Sequence, residues 1–241
     1  MFDILFAYIF LIYGNEYGCK MIKKIDILGI QLDNYTVREA IMRMEAWYDN
    51  NMLNVIEMVS MQMLTESESD PVLKEVISSL DLAVIGEKGI LQAAGVDTMQ
   101  RIRETEENDF SDEFLKRVER NRKSVFIIGE TQGAVDEFTQ ELREEYPKLV
   151  LAGAAATENC VGDLEGVINE MNAATPDVII SIIPSPGQEH FLVEHRDKIN
   201  ANLWYGIGGF EVHRKRSRIK GFFWNLIHRV RLKNSIEKYE S

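Results

Sequence analysis

The sequence predicts an α/β fold: Rossmann-like, a mainly parallel sheet with helices on both faces, plus a C-terminal amphipathic basic helix. Three observations carry this. Short apolar runs alternate with segments of helical period along most of the chain, which implies parallel strands joined by crossover helices. Glycine-containing turns leave several of those runs and open directly into helical segments. From Val212 onward, both the charge and the apolar period change.

The elements follow in order. Lys24–Ile30 alternates and reads as a strand. Asp33-Asn34-Tyr35-Thr36 offers caps for a helix over 37–48. Asn54–Val59 reads as a second strand. Pro71–Leu80, with Val72, Val76 and Leu80 on one face, reads as a helix. Asp81–Ile85 is a strand, followed by the turn Gly86-Glu87-Lys88-Gly89 and a helix at Ile90–Gly95. Arg101–Asp112 is dense in charge and reads as a loop or linker. Ser124–Ile128 is a strand of the doubly buried type, and Gly129–Gly133 a turn. Ala134–Tyr146 is a helix with Val135, Phe138 and Leu142 on one face. Leu149–Leu151 is a strand, 164–172 a helix, Asp177–Ile183 a strand, Gly187–Lys198 a helix and Leu203–Ile207 the last strand. The chain divides into an apolar N-terminal extension (1–20), an α/β domain (21–211) and a basic amphipathic appendage (212–241).

Charge narrows the partners. The chain carries a formal net charge of −12, which argues against a general nucleic-acid binder. From Val212 to Ser241 there are nine Lys/Arg and two Glu, a net of +7, so the remainder carries −19. A basic segment on an acidic body suits an anionic membrane surface or phosphates. Ile219, Phe222, Phe223, Leu226, Ile227 and Val230 keep helical spacing. Arg214, Lys215, Arg216, Arg218, Arg229 and Arg231 flank them, the composition of an interfacial helix. The alternative is a C-terminal helix packed on the body. Residues 2–13 are apolar but too few to span a bilayer as a helix, and with no basic leader and no small-residue cleavage site they do not read as a signal peptide. They read either as a membrane- or partner-bound helix or as an extension ahead of Met21. Cys19 and Cys160 make no disulfide framework and no zinc spacing, and four scattered histidines give no metal pattern. Neither a metal nor a cofactor is expected, and homo-oligomer formation stays open.

Candidate site residues sit where strands end. Gly129-Glu130-Thr131-Gln132-Gly133, between strand and helix, has the geometry that presents N–H groups to an anion, although it is neither GxGxxG nor a P-loop. Pro184-Ser185-Pro186-Gly187-Gln188-Glu189 repeats the arrangement. Gln188 and Glu189 suit sugar hydroxyls or a uracil edge, or Glu189 simply favours a first helical turn. Gly206-Ile207-Gly208-Gly209 permits close backbone approach to a ligand. Glu87, on its glycine-flanked turn, is either a catalytic base or an acid stabilising the helix that follows. With no dinucleotide fingerprint after the first strand, a nicotinamide enzyme is a poor reading.

From about Met21 to Arg231 the chain resembles the WecG/TagA/CpsF glycosyltransferases. The resemblance rests on Ile27-Leu28-Gly29-Ile30 with Asp33-Asn34, the Asp70-Pro71 helix start, Asp81-Leu82 and Phe126-Ile127-Ile128-Gly129 leading to Glu145-Tyr146-Pro147. It continues through Gln188-Glu189, Gly206-Ile207-Gly208-Gly209 and the aromatic-basic tail. It implies inverting transfer of an N-acetylhexosamine-type sugar from a UDP-sugar to a polyprenyl-diphosphate-linked acceptor in cell-surface polysaccharide synthesis. It also implies a location at the cytoplasmic face of the membrane. Ser60, Gln62, Gly129, Gln132, Gln188, Glu189 and Gly208 would then lie near the substrates, with the basic tail on the lipid diphosphate.

Departures from the family pattern concentrate at the site. Met58 stands at the family's threonine, Ser60 at its asparagine and Gln62 where an acid is common. Gly86 takes the place of the proposed catalytic aspartate, and Glu87 comes one residue later. A Gly-Ser/Thr-Asp element is missing, and Pro186-Gly187-Gln188-Glu189 lacks the family's lysine. Phe210-Glu211 is the nearest match to its Phe-Asp. Two readings follow: a divergent transferase using Glu87 as substitute base, or a catalytically silent relative that binds or scaffolds.

Overall fold

A computed structural model describes residues 23–50, 52–160 and 164–208. The apolar N-terminal stretch, the anticipated C-terminal helix and the basic residues Arg214, Lys215, Arg216, Arg218, Arg229 and Arg231 lie outside the described residues.

The described chain opens with a hairpin, where one strand was expected. β1 (Lys24–Ile27) and β2 (Ile30–Asp33) pair antiparallel. Leu28 and Gly29 between them both have positive φ, 53° and 78°. That is the two-residue turn whose twist matches the strands it joins. The glycine accommodates this readily, and its N–H donates to Asp26 Oδ1 at 3.1 Å. The buried positions change parity across the turn, from Ile25 and Ile27 to Ile30 and Leu32, but apolar Leu28 beside Ile27 lets the segment read as one continuous strand.

α1 (Val37–Glu45) starts at Thr36, which forms a reciprocal capping box with Glu39. β3 (Asn54–Val59) is buried at every position. A short helix, α2 (Met61–Glu66), then begins at the N-cap Ser60. It was not anticipated, because six residues are too few to establish a period. α3 (Pro71–Ser79) is capped by Asp70; β4 (Leu82–Ile85) and α4 (Lys88–Ala93) follow.

The charged stretch expected as a linker is helical: α5 (Met99–Glu106) and α6 (Asp109–Arg120). Arg101 and Glu104, three apart, share the buried face of α5 and pair at 2.9 Å. Glu104 also accepts from the Val37 N–H at the start of α1 at 3.3 Å, and Arg101 donates to Asn34 Oδ1 at 3.3 Å. In α6, Asp109 and Asp112 occupy the first turn and Arg117 and Arg120 the last, complementing the helix dipole. Much of the charge here therefore specifies helix.

The second half runs β5 (Ser124–Gly129), α7 (Gln132–Glu145), β6 (Val150–Ala156), α8 (Glu165–Ala173), β7 (Val178–Ser181), α9 (Gly187–His195) and β8 (Leu203–Gly206). β6 extends well past the expected Leu151 through Ala152-Gly153-Ala154. There Gly153 is required, since a Cβ would lie 2.7 Å from the Phe126 ring. Strands β3 to β8 form one parallel sheet in the order β4-β3-β8-β7-β5-β6.

Helices cover both faces, as the apolar runs require. Ile56, Met58, Ile127, Ile180 and Tyr205 pack with α1, α6 and α7. Val55, Phe126, Ile179 and Trp204 face α8 and α9, and Val59, Ala83 and Ile85 face α2, α3 and α4. The hairpin shields the edge strand β4: buried Asp33 accepts from the Ala83 N–H at 3.1 Å, satisfying a backbone donor that an open edge would expose.

Candidate functional site at the carboxyl edge of the sheet

Strand order locates the site. β3 leads outward to β4, whereas β5 leads to β6 at the opposite edge, and β8 and β7 fill the interval. Ligands of open α/β sheets bind outside the carboxyl ends of the strands near such a reversal. A crevice of about 270 Å³ opens there, lined by Ser60, Gln62, Met63, Glu87, Pro184, Ser185, Ile207 and Gly208. It collects the ends of β3, β4, β7 and β8 and stands near the lower end of ordinary ligand-pocket sizes.

Four of the expected site residues meet here: Ser60, Gln62, Glu87 and Gly208. Ser60 caps α2, its Oγ accepting from the Met63 N–H at 3.0 Å. Gln62 is exposed and donates to Glu66 at 2.8 Å. Glu87 stands at the N-cap of α4 but makes no side-chain cap to it. Its Oε1 accepts instead from the Met61 N–H at 3.2 Å, at the start of α2. The acid thus bridges two strand ends, and the helix it stabilises through its side chain is not the one that follows it. Gly208 has φ +60°, a left-handed conformation that favours glycine at the lip.

Gly129 and Gln132 do not line the crevice. Gly129 is buried, and a Cβ on it would sit 2.7 Å from Val135, so packing accounts for the glycine. The Gln132 N–H donates to Glu158 Oε1 at 2.5 Å, and Asn159 donates to its side-chain oxygen at 2.7 Å. Glu158 already occupies the anion-receptive end of α7.

Gln188 and Glu189 lie behind the crevice wall, 1% and 0% exposed. Gln188 Nε2 donates to Glu189 Oε1 at 3.2 Å. A Cβ on Gly206 would fall 2.7 Å from Gln188 Nε2 and 2.9 Å from Glu57 Cγ, so this strand residue has to be glycine. Glu57, wholly buried, sits opposite Gly206 in the β3–β8 register. Burial holds its carboxyl well above the usual carboxylate range, and Glu189 adds to the shift. Burial likewise raises Glu189, against the hydrogen bond from Gln188. His190, on the outer side of α9, meets Asp70 at 3.1 Å and ties α9 to α3.

Motif reading missed Met63, Ser185 and Glu57. The available signal for Glu57 was a lone acid in an otherwise apolar strand core. Among the described residues, no group of three or more His, Cys, Asp and Glu is placed to hold a metal ion. No described helix is long and apolar enough to cross a membrane.

A parallel sheet covered by helices on both faces, with a crevice at its carboxyl edge, places this chain among the open α/β proteins, whose ligands bind at that edge. More narrowly, the chain belongs to the glycosyl transferase WecG/TagA/CpsF family, whose model matches residues 25–213. It is similar to the N-acetylglucosaminyldiphosphoundecaprenol N-acetyl-beta-D-mannosaminyltransferase of Staphylococcus aureus strain NCTC 8325 / PS 47. The two are 23% identical over 191 residues, covering 77% of this chain and 73% of the relative. The protein of the same description in strain MRSA252 is 22% identical over the same coverage.

Proposed function

We propose that this protein transfers an N-acetylhexosamine-type sugar from a UDP-sugar to a polyprenyl-diphosphate-linked acceptor, working at the cytoplasmic face of the membrane in cell-surface polymer synthesis. The observation that carries this is the convergence of Ser60, Gln62, Glu87 and Gly208 on one crevice, in a chain of this family. Glu87 acts as general base, taking the acceptor hydroxyl proton as that oxygen attacks the anomeric carbon. The Gly208 backbone allows close approach of the donor. Arg214 follows six residues after Gly208, within reach of the crevice for an extended chain, and the basic segment neutralises the lipid diphosphate. With the purified full chain and a polyprenyl-diphospho-N-acetylglucosamine analogue in detergent, one donor of a UDP-sugar panel is expected to give acceptor-dependent UDP release. Absence of release, together with absence of UDP binding, would refute the transferase reading.

A second reading, a silent binding or scaffolding relative, is favoured by one observation. Glu87 spends an oxygen on the Met61 N–H while Gly86 holds the position of the family's aspartate. UDP binding without release from any donor–acceptor pair is the result that reading expects.

Membrane attachment is a separate test. Truncation after Glu211 removes the +7 segment, and with it the attraction of about 1 kcal/mol per basic residue near an anionic surface. Full-length protein is expected to co-sediment with anionic vesicles and the truncated form to stay in the supernatant. Equal sedimentation of both would remove the tail from membrane binding.

A further inference from the structure

Behind Gly206 and the crevice-lining Gly208, four buried oxygens accept no hydrogen bond: both carboxyl oxygens of Glu57, Gln188 Oε1 and Glu189 Oε2. Ionised carboxylates and amide oxygens only accept, so these groups cannot satisfy one another as they stand. The one amide donor that Gln188 turns toward this cluster, Nε2, is bonded to Glu189 Oε1. The groups crowd together: Gln188 Oε1 and Glu57 Cγ lie 2.8 and 2.9 Å from the point where a Gly206 Cβ would stand. The Ser185 hydroxyl, itself buried and without a partner, is a donor at hand for Glu189; between Glu57 and the Gln188–Glu189 pair, a carboxyl proton supplies the donor.

We propose that Glu57 is a positioning residue of the crevice, keeping its carboxyl proton in the folded protein and donating it into the Gln188–Glu189 pair. That hydrogen bond fixes the Gln188 amide against Gly206 and Gly208 and so sets the crevice wall. The assignment concerns the wall itself and holds whichever ligand the crevice takes.

The surroundings favour the neutral acid. Across the sheet, β4 presents Ala83 and β8 presents Gly206 to Glu57. α9 brings Glu189, a like charge, with the exposed His190 beyond it paired to Asp70 at the start of α3. Glu87 is the acid at the crevice mouth. Burial acts in the same direction as the geometry. A carboxyl with a raised folded-state value stabilises fully below the unfolded carboxylate range. That contribution is lost as pH rises through the folded value.

Two measurements on the full chain test this. Infrared spectra of the wild type at about pH 8, where ordinary carboxyl groups are ionised, are expected to show a protonated carboxylic C=O band, absent from Glu57→Gln. Thermal unfolding at about pH 5.5 and 8.5 should show Glu57→Gln gaining on the wild type as pH rises, since a neutral amide replaces a neutral acid without a titration. A wild-type spectrum without the band overturns the proposal. So does a Glu57→Gln variant that fails to fold, or one whose stability difference from wild type is the same at both pH values.

Discussion

Glu87→Gln is expected to lower turnover by about 10²-fold or more, the usual share of a general base, with little change in stability. The substitution keeps the geometry the fold uses. A glutamine oxygen still accepts from the Met61 N–H that Glu87 Oε1 engages at 3.2 Å, so the start of α2 stays capped. What glutamine cannot do is take a proton. Loss of turnover with an unchanged unfolding midpoint would therefore read the chemistry and not the fold. The measurement is acceptor-dependent UDP release by wild type and variant in parallel. Unchanged turnover would remove Glu87 from the mechanism and leave it as a cap that joins the ends of β3 and β4.

Arg101→Met is expected to cost about 3–5 kcal/mol, the range for removing one partner of a buried ion pair. Arg101 and Glu104 are 7% and 8% exposed and meet at 2.9 Å. Without the guanidinium, Glu104 keeps the Val37 N–H and the Gln100 amide as donors but loses its countercharge. At about 2–4 °C per kcal/mol for a chain of this size, the midpoint should fall by about 10 °C. The double variant Arg101→Met/Glu104→Gln should recover much of that, because a neutral pair no longer pays for burying an uncompensated charge. A single variant within about 1 kcal/mol of wild type, the scale of an exposed pair, would show that the pair is solvated.

Arg101 and Glu104 also show where sequence reading fails. Their segment reads as a linker because buried arginine and glutamate look the same in sequence as solvated ones. Only after α1 and β2 pack does Asn34 come to face Arg101 and the open start of α1 come to face Glu104. The Leu28-Gly29 reversal is hidden differently: apolar Leu28 joins Ile27 and Ile30 into what reads as one strand, although the buried positions change parity across the turn. The inner sheet strands were legible because a strand buried on both faces must be apolar along its length; the edge strand β6, mostly not buried, was legible only at its start. Of the site, Glu87 and Gly208 were legible in glycine-containing turns at strand ends, whereas Ser60 and Gln62 were reached only through the family resemblance. Glu57 showed only as a lone acid in an apolar strand, and its acidic neighbour Glu189 comes from a distant helix that no local reading supplies.

The sequence by itself determined the alternation of strand and helix, the helix starts at Thr36 and Asp70, the family, and the charge division between body and tail. Each is written in neighbouring residues, through backbone period, capping chemistry or motif order. The tertiary structure alone decided that β8 inserts beside β3 and sets Gly206 between Glu57 and Gln188. It alone sent the Glu87 side chain to the start of α2 and left Gln132 bound to Glu158. Strand order is chosen by the burial of whole faces at once. No short stretch of sequence records it, and the pairing of distant polar groups follows from that order.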